Sequence, residues 1–315
     1  RRRRPPRPDL KKIQLSTNES DRDERLDRFI ARAGGIARGE ARRALERGGV
    51  WLDGKRVKAA SRALRPGQQV LVVLEEAGRK EPVIEALGPG RILFEDESLI
   101  AVDKPPFVAA QSTLGSDRGN LLALVEAHLG RSAGLVHRLD FETSGVTVFG
   151  KTRDATRALA AAFREGTAHK RYLALAVGPL DDQGVVDVAL ASDPRRKGRF
   201  VARPDGPVTA LTRYRVLGRR GTIALVELLP ETGRTHQIRV HLRHLGAPIA
   251  GDELYEGPTE IEGPDGMVAV PRVLLHARSL ELPHPLTGQP LRIAAPLPED
   301  LAALAALTSA PPDAL

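Results

Sequence analysis

The strand-like segments beyond residue 90 lie too close together along the chain to be joined by crossover helices. Residues 92–94 and 99–102 are apolar runs of strand length, and so are residues 214–217 and 223–228. A parallel pair needs a connection of about a dozen residues or more, and neither gap supplies it, so these neighbours must pair antiparallel. Further strands are expected over residues 146–149 and 172–177. Helices are expected over residues 121–129 and over 153–165, where Ala155, Leu159 and Ala162 share one face. Strands outnumber helices, which sets the fold class as α+β, a mixed, largely antiparallel central sheet with flanking helices.

Upstream, the pattern changes. Leu26, Phe29, Ile30 and Ala33 recur at helical spacing until Gly34-Gly35, and Ala41, Ala44 and Leu45 repeat the pattern until Gly48-Gly49. Val50-Trp51-Leu52 then runs into Asp53-Gly54, a hairpin signal, and Lys55-Arg56-Val57 returns. This makes a compact αα-β module over residues 22–75. Residues 76–90 mix charge, Gly and Pro as a linker does. The expected order is a disordered basic arm (1–21), this module, the linker, a large domain (91–297) and a C-terminal tail (298–315). No initiator Met precedes Arg1, so the arm is expected to be incomplete.

The net charge of +8 is unevenly placed. Residues 1–12 net +6 and residues 22–68 net +7, so the remainder is slightly acidic. Affinity for a polyanion therefore belongs to the N-terminal part, and the larger body holds a localised basic cleft at most. The chain has no cysteine, which excludes disulfides, Cys-ligated zinc and a thiol nucleophile. No apolar run reaches the ~18–20 residues of a membrane span. The opening Arg run has no hydrophobic stretch behind it, so it does not read as a secretory signal.

Three blocks carry chemistry. In His137-Arg138-Leu139-Asp140-Phe141-Glu142-Thr143-Ser144-Gly145, alternation over residues 135–139 places Asp140 at a strand end before a tight turn, a rigid mount for a carboxylate. Taken alone, such a segment is more often only a turn. In Thr232-Gly233-Arg234-Thr235-His236-Gln237-Ile238-Arg239, Thr235 is positioned to cap a helix whose Ile238, Leu242 and Leu245 form a buried stripe. Arg239 and Arg243 flank that stripe, where an arginine can reach a carboxylate and keep it ionised. In Lys170-Arg171-Tyr172-Leu173-Ala174, Tyr172 stands on a face of otherwise small residues. It is either a platform for a stacked base or a core filler under a loop.

These blocks, with Gly251-Asp252-x-x-Tyr255, Leu274-Leu275-His276-Ala277 and His284-Pro285-x-Thr287-Gly288, resemble in order the RluA-like pseudouridine synthases over roughly residues 90–297. The module in front resembles the S4 RNA-binding domain, and together they look like the ribosomal large-subunit type. The resemblance implies that Asp140 is the nucleophile, Arg239 its charge partner and Tyr172 the packing surface for uracil, with Arg138 contacting RNA and helping to flip the target. His137, Lys170, Arg234 and His236 are further candidate substrate contacts. Arg38, Arg42, Arg43, Arg47, Lys55 and Arg56 are the candidate RNA contacts of the S4-like module. Residues Val108-Ala109-Ala110-Gln111-Ser112 depart from the Val-His-Pro segment common in relatives. Isomerising uridine moves no atom out of the molecule and changes no oxidation state, so no cofactor and no metal are expected.

The expected protein is a monomeric, cytoplasmic enzyme acting on ribosomal RNA, with transfer RNA as the second choice. Three rivals stand beside it. His236, His241 and His244 invite a metal, but they lack the i, i+4 spacing with an intervening Glu used by helical zinc sites. Asp140 and Glu142 could be a glycosidase pair, although the basic module suits a polysaccharide poorly. The third is an RNA-binding assembly factor without catalysis, which would need no combination of Asp140, Tyr172 and Arg239.

Overall fold

The computed structural model describes residues 11–74 and 86–311. The N-terminal Arg run, most of the expected linker and residues 312–315 lie outside them. The chain divides into two units, one of Arg1–Glu85 with Gln111–Leu124, the other of Ala86–Ala110 with Val125–Leu315.

In the first unit, helix α1 (Leu26–Gly34) buries Leu26, Phe29 and Ile30, and α2 (Arg38–Arg47) buries Ala41, Ala44 and Leu45. Both end on a left-handed glycine, Gly35 and Gly48. A four-stranded sheet packs with them in the order β1 (Lys11–Ser16), β4 (Gln69–Leu74), β2 (Val50–Leu52), β3 (Lys55–Arg56). The β2–β3 hairpin turns on Asp53 and Gly54, both at positive φ, as a type I′ turn requires.

Two expectations are corrected here. Residues 11–21 are not disordered arm: β1 pairs with β4 and sends Ile13 and Leu15 onto the module's core. Nor is residues 91–297 one uninterrupted domain, because Gln111–Leu124 clusters with the first unit. Trp51 Nε1 donates to the Leu114 carbonyl at 3.1 Å, and the Asp117 carboxylate lies 2.8 Å from Lys58 Nζ and 3.6 Å from Arg56.

The second unit is built on a ten-stranded sheet. Its main path runs β10 (Gln183–Asp187), β13 (Leu211–Arg220), β14 (Ile223–Pro230), β9 (His169–Val177), β17 (Leu275–Pro283), β8 (Ser144–Gly150), β6 (Leu99–Lys104), β5 (Ile92–Glu95). Strand β18 (Pro290–Ala294) pairs with β17, and β7 (Gly134–Leu135) with β8. Every pair is antiparallel except β17 with β8. Two small hairpins, β11 (Leu190–Ser192) with β12 (Phe200–Ala202) and β15 (Glu260–Gly263) with β16 (Gly266–Ala269), stand off this sheet.

Helices α3 (Leu121–Leu129), α4 (Arg153–Glu165), α5 (Gln237–His244) and α6 (Glu299–Ala305) complete the chain. The α6 helix corrects the expected tail, since Leu301, Leu304 and Ala305 are buried in the largest hydrophobic cluster beside Ile238 and Leu242 of α5. The parallel contact explains the glycine after Ser144. Gly145 sits at φ +112, and a Cβ there would lie 2.2 Å from the Ala277 carbonyl oxygen of β17.

Candidate active site

Asp140 does not end a strand as expected. Strand β7 stops at Leu135, and residues 136–140 run irregularly to a turn closed by the Thr143 N–H on the Asp140 carbonyl, 3.1 Å. The hold comes instead from tertiary bonds on either side. Val148 N–H donates to His137 Nε2 at 3.0 Å, Leu139 is buried, and the Phe141 carbonyl accepts from both Phe107 N–H and Lys104 Nζ. Backbone groups that lack a ladder are satisfied by distant partners.

The Asp140 carboxylate is 28% exposed and meets Arg239, which is 2% exposed, through Nη1 at 3.1 Å. Arg239 is itself fixed by Asp252, which is fully buried and takes Nε and Nη2 at 2.6 and 2.7 Å in a bidentate pair. Burial opposes the guanidinium charge, but the hydrogen bonds and charges of Asp252 and Asp140 outweigh it. The Tyr255 ring lies under the guanidinium, 4.9 Å from it.

His236 closes the cluster. Thr235 is not the cap expected of it: His236 occupies the position before α5, in a left-handed conformation at φ +59 with no side-chain cap bond. That turn points its ring into the site. The Tyr255 hydroxyl accepts from Phe200 N–H at 3.1 Å and meets His236 Nδ1 at 2.8 Å. The Tyr255 hydroxyl thus links Phe200 N–H to the His236 ring, whose Nε2 lies 3.9 Å from the Asp140 carboxylate.

Tyr172 is brought alongside by register. In the row across β9, β17 and β8, Tyr172 pairs with Ala277, and Ala277 with Gly145. Burial raises its phenol, and the negative charge of Asp140 raises it further. The hydroxyl stays neutral at ordinary pH.

The remaining candidates spread out. Arg138 is exposed and its Nη2 lies 3.4 Å from Thr235 Oγ1. Lys170 Nζ donates to the Thr232 carbonyl at 3.0 Å, lowered to about 8 by burial and then by Arg234, whose own Nε donates to the Thr209 carbonyl. His137 is corrected from substrate contact to packing: its ring stacks on Phe163 at 4.4 Å, and burial, then Lys170, push it down to about 3. Glu142 is no free second carboxylate either, because it accepts from Val273 N–H at 3.1 Å.

In the first unit, Asp27 is fully buried and bonded by Arg25, Arg38 and Arg42. Burial works against its charge, and those three arginines override it, holding the carboxyl well below the usual range. Arg38 and Arg42 thus spend part of their fork on Asp27. Arg56 lies over the Trp51 ring and donates to the Thr113 carbonyl, and it is only 17% exposed, which turns it from an RNA contact into packing. Arg47 is half-buried, while Arg43 and Lys55 are exposed.

Three features around the site carry no clear mark in the sequence. Asp252 and Tyr255 stand inside one of the family blocks, yet nothing local assigns them to Arg239. Lys104 is fully buried, donates to the Pro105, Val108 and Phe141 carbonyls, and is lowered to about 7 by burial. A lysine closing an apolar strand before two prolines is the one signal available. The third feature is the loop between β11 and β12. Arg195, Arg196, Arg199 and Arg203 line a cavity of about 700 Å³ there, with Asp193 and Glu256, and Arg199 reaches the Tyr255 ring. This is a localised basic cleft in an otherwise acidic body. Among the described residues no group of His, Asp and Glu is arranged to hold a metal, and no helix is long and apolar enough to cross a membrane.

This sheet, with an exposed carboxylate held by a buried arginine, is the ground on which the chain meets known proteins. The profile of the RNA pseudouridylate synthase family matches residues 98–244, and that of the S4 domain matches residues 24–70. The chain belongs to the RNA pseudouridylate synthase family, whose enzymes are isomerases. It is 38% identical to the ribosomal large subunit pseudouridine synthase D of Nitrosomonas europaea over 267 residues, 81% of this chain and 77% of that protein. It is 32% identical to an uncharacterised RNA pseudouridine synthase of Bacillus subtilis, over 94% of this chain and 97% of that one. Among solved structures, human RNA pseudouridylate synthase domain containing 1 superimposes with a TM-score of 0.55 at 26% identity, covering 71% of this chain and 91% of its own.

Proposed function

We propose that this enzyme converts uridine to pseudouridine in structured RNA of the large ribosomal subunit, with Asp140 as the nucleophile. The observation that carries the reading is the Asp140–Arg239–Asp252 chain: one solvent-facing carboxylate with a permanent, pre-oriented counter-charge. The reaction cleaves the N1–C1′ bond, turns the uracil and rejoins it through C5. An ionised carboxylate serves this either as an attacking group or as the stabiliser of the cleaved sugar. Arg239 keeps the carboxylate oriented at no reorganisation cost during the reaction. Tyr172 packs the detached base and His236 lines the pocket, while Arg138, Lys170 and Arg234 meet the flanking RNA. The target base must leave its stack, which costs a few kcal/mol and favours loops or loosened helices.

Ribosomal RNA is favoured over transfer RNA by the S4 module and by similarity to the ribosomal large subunit enzyme of Nitrosomonas europaea. An RNA substrate supports a cytoplasmic enzyme. Against a silent binding factor stands the assembly of Asp140, Tyr172 and Arg239 in one place. The test is Asp140→Asn, expected to bind RNA as the native enzyme does and to make no pseudouridine. Comparable product from the variant overturns the assignment. Pseudouridine mapping by chemical modification and reverse transcription, with and without the gene, identifies the RNA.

A further inference from the structure

The active-site loop is held from a direction that neither the motifs nor the reaction accounts for. Arg272 is fully buried between the two halves of the site. Its Nη1 donates to the Glu142 carbonyl at 3.2 Å, two residues beyond Asp140, and to the Val273 carbonyl at 3.0 Å. Its Nε and Nη2 hold Asp300, in the first turn of α6, at 2.6 and 2.8 Å. The Glu142 side chain returns the contact by accepting from Val273 N–H.

The backbone of the same residue braces the other half. Gly251 precedes Asp252, the anchor of Arg239, and a Cβ on Gly251 would lie 1.8 Å from the Arg272 carbonyl oxygen. Leu274 N–H donates to the Ala250 carbonyl at 3.0 Å. Residues 272–274 therefore touch the nucleophile's loop on one side and the arginine's anchor on the other.

We infer that Arg272 is a positioning residue for the isomerisation, setting the gap between Asp140 and Arg239, and that α6 is part of the catalytic unit because Asp300 holds Arg272 in place. A guanidinium suits this role, since one nitrogen spans carbonyls of two segments while the other two grip a carboxylate in a fixed plane. Misplacing a reacting group by about 1 Å costs up to about a hundredfold in rate. The inference rests on Asp140 being the nucleophile.

The experiment uses the full chain on total RNA from cells lacking the gene, so that it does not depend on the ribosomal target. Asp300→Asn is expected to lower kcat about tenfold with KM changed less than about twofold, and Asp300→Glu, which keeps a bidentate grip, is expected to recover most of the loss. Glu142→Ala loosens the other end without touching the buried arginine. It should lower kcat too, and the double variant should fall short of the product of the two effects, as members of one unit do. Asp300→Asn at the native kcat, or log-additive effects in the double variant, overturns the inference while Asp140→Asn remains inactive. Activity surviving in Asp140→Asn overturns the site reading and this inference with it.

Discussion

Arg239 donates to Asp140 through Nη1 alone, at 3.1 Å, because Asp252 has taken its Nε and Nη2. The fork is divided before substrate arrives. A lysine at this position carries the charge but cannot span both carboxylates. Arg239→Lys is therefore expected to lose about a hundredfold in kcat while RNA affinity holds. A variant turning over within a fewfold of the native rate shows that a point charge suffices. The same substitution strains the fold, since unpairing the buried Asp252 costs about 3 kcal/mol or more, which urea titration measures.

Stability is expected to rise with pH above neutrality. Lys104 titrates at about 7 in the fold, against 10.5 ordinarily, and Lys170 at about 8. Between these values and 10.5 the unfolded chain binds the extra protons, so folding releases them and raising pH favours it. Urea midpoints at pH of about 7 and about 9.5 should show the rise, and Lys104→Met should show a smaller one. An equal rise in the variant dismisses Lys104 as its source. On the acid side His137 and His276 are held at about 3 and about 4, against 6.5. The unfolded chain takes up these protons first, so stability falls as pH drops through that window.

Gly145→Ala should fail structurally before it fails chemically. Its φ of +112 disfavours any side chain, and the new Cβ would press on the Ala277 backbone, which cannot swing away as a side chain could. A loss of about 3 kcal/mol or more is expected. A melting temperature within a degree or two of the native value contradicts this.

Arg43 and Lys55 are two of the exposed cations of the S4 module. Replacing both with Ala should weaken RNA binding most at low salt and lower the slope of log affinity against log salt by about 0.7–0.9 per lost phosphate contact. Single-turnover rate at saturating RNA should not change. An unaltered slope removes both residues from the RNA interface.

Some of the site is legible in the sequence because local pattern carries it. The Asp140 turn, the α5 stripe beside Arg239 and the two helices ending on Gly35 and Gly48 announce themselves within a few residues. What stays hidden depends on partners far away. Asp252 looks like any loop aspartate until Arg239 folds against it, and His137 stands three residues before Asp140 yet spends its ring on Phe163. Lys11–Ser16 reads as part of the basic arm because its alternating Ile13 and Leu15 are flanked by lysines, and only pairing with β4 makes it a strand. In α6, Leu301, Leu304 and Ala305 carry helical spacing in the sequence itself. Their burial is invisible there because it depends on the core they cover.

The parallel pairing of β8 against β17 also sets a schedule. Ser144 Oγ and His276 Nδ1 meet at 2.9 Å across 132 positions of sequence. A chain emerging from its N-terminus completes the strands and helices of residues 11–74 early, since these pair among themselves. Ser144 and Gly145 gain their parallel neighbour only once His276 and Ala277 have been made. The nascent polypeptide can thus possess a grip on nucleic acid well before it possesses a reactive centre.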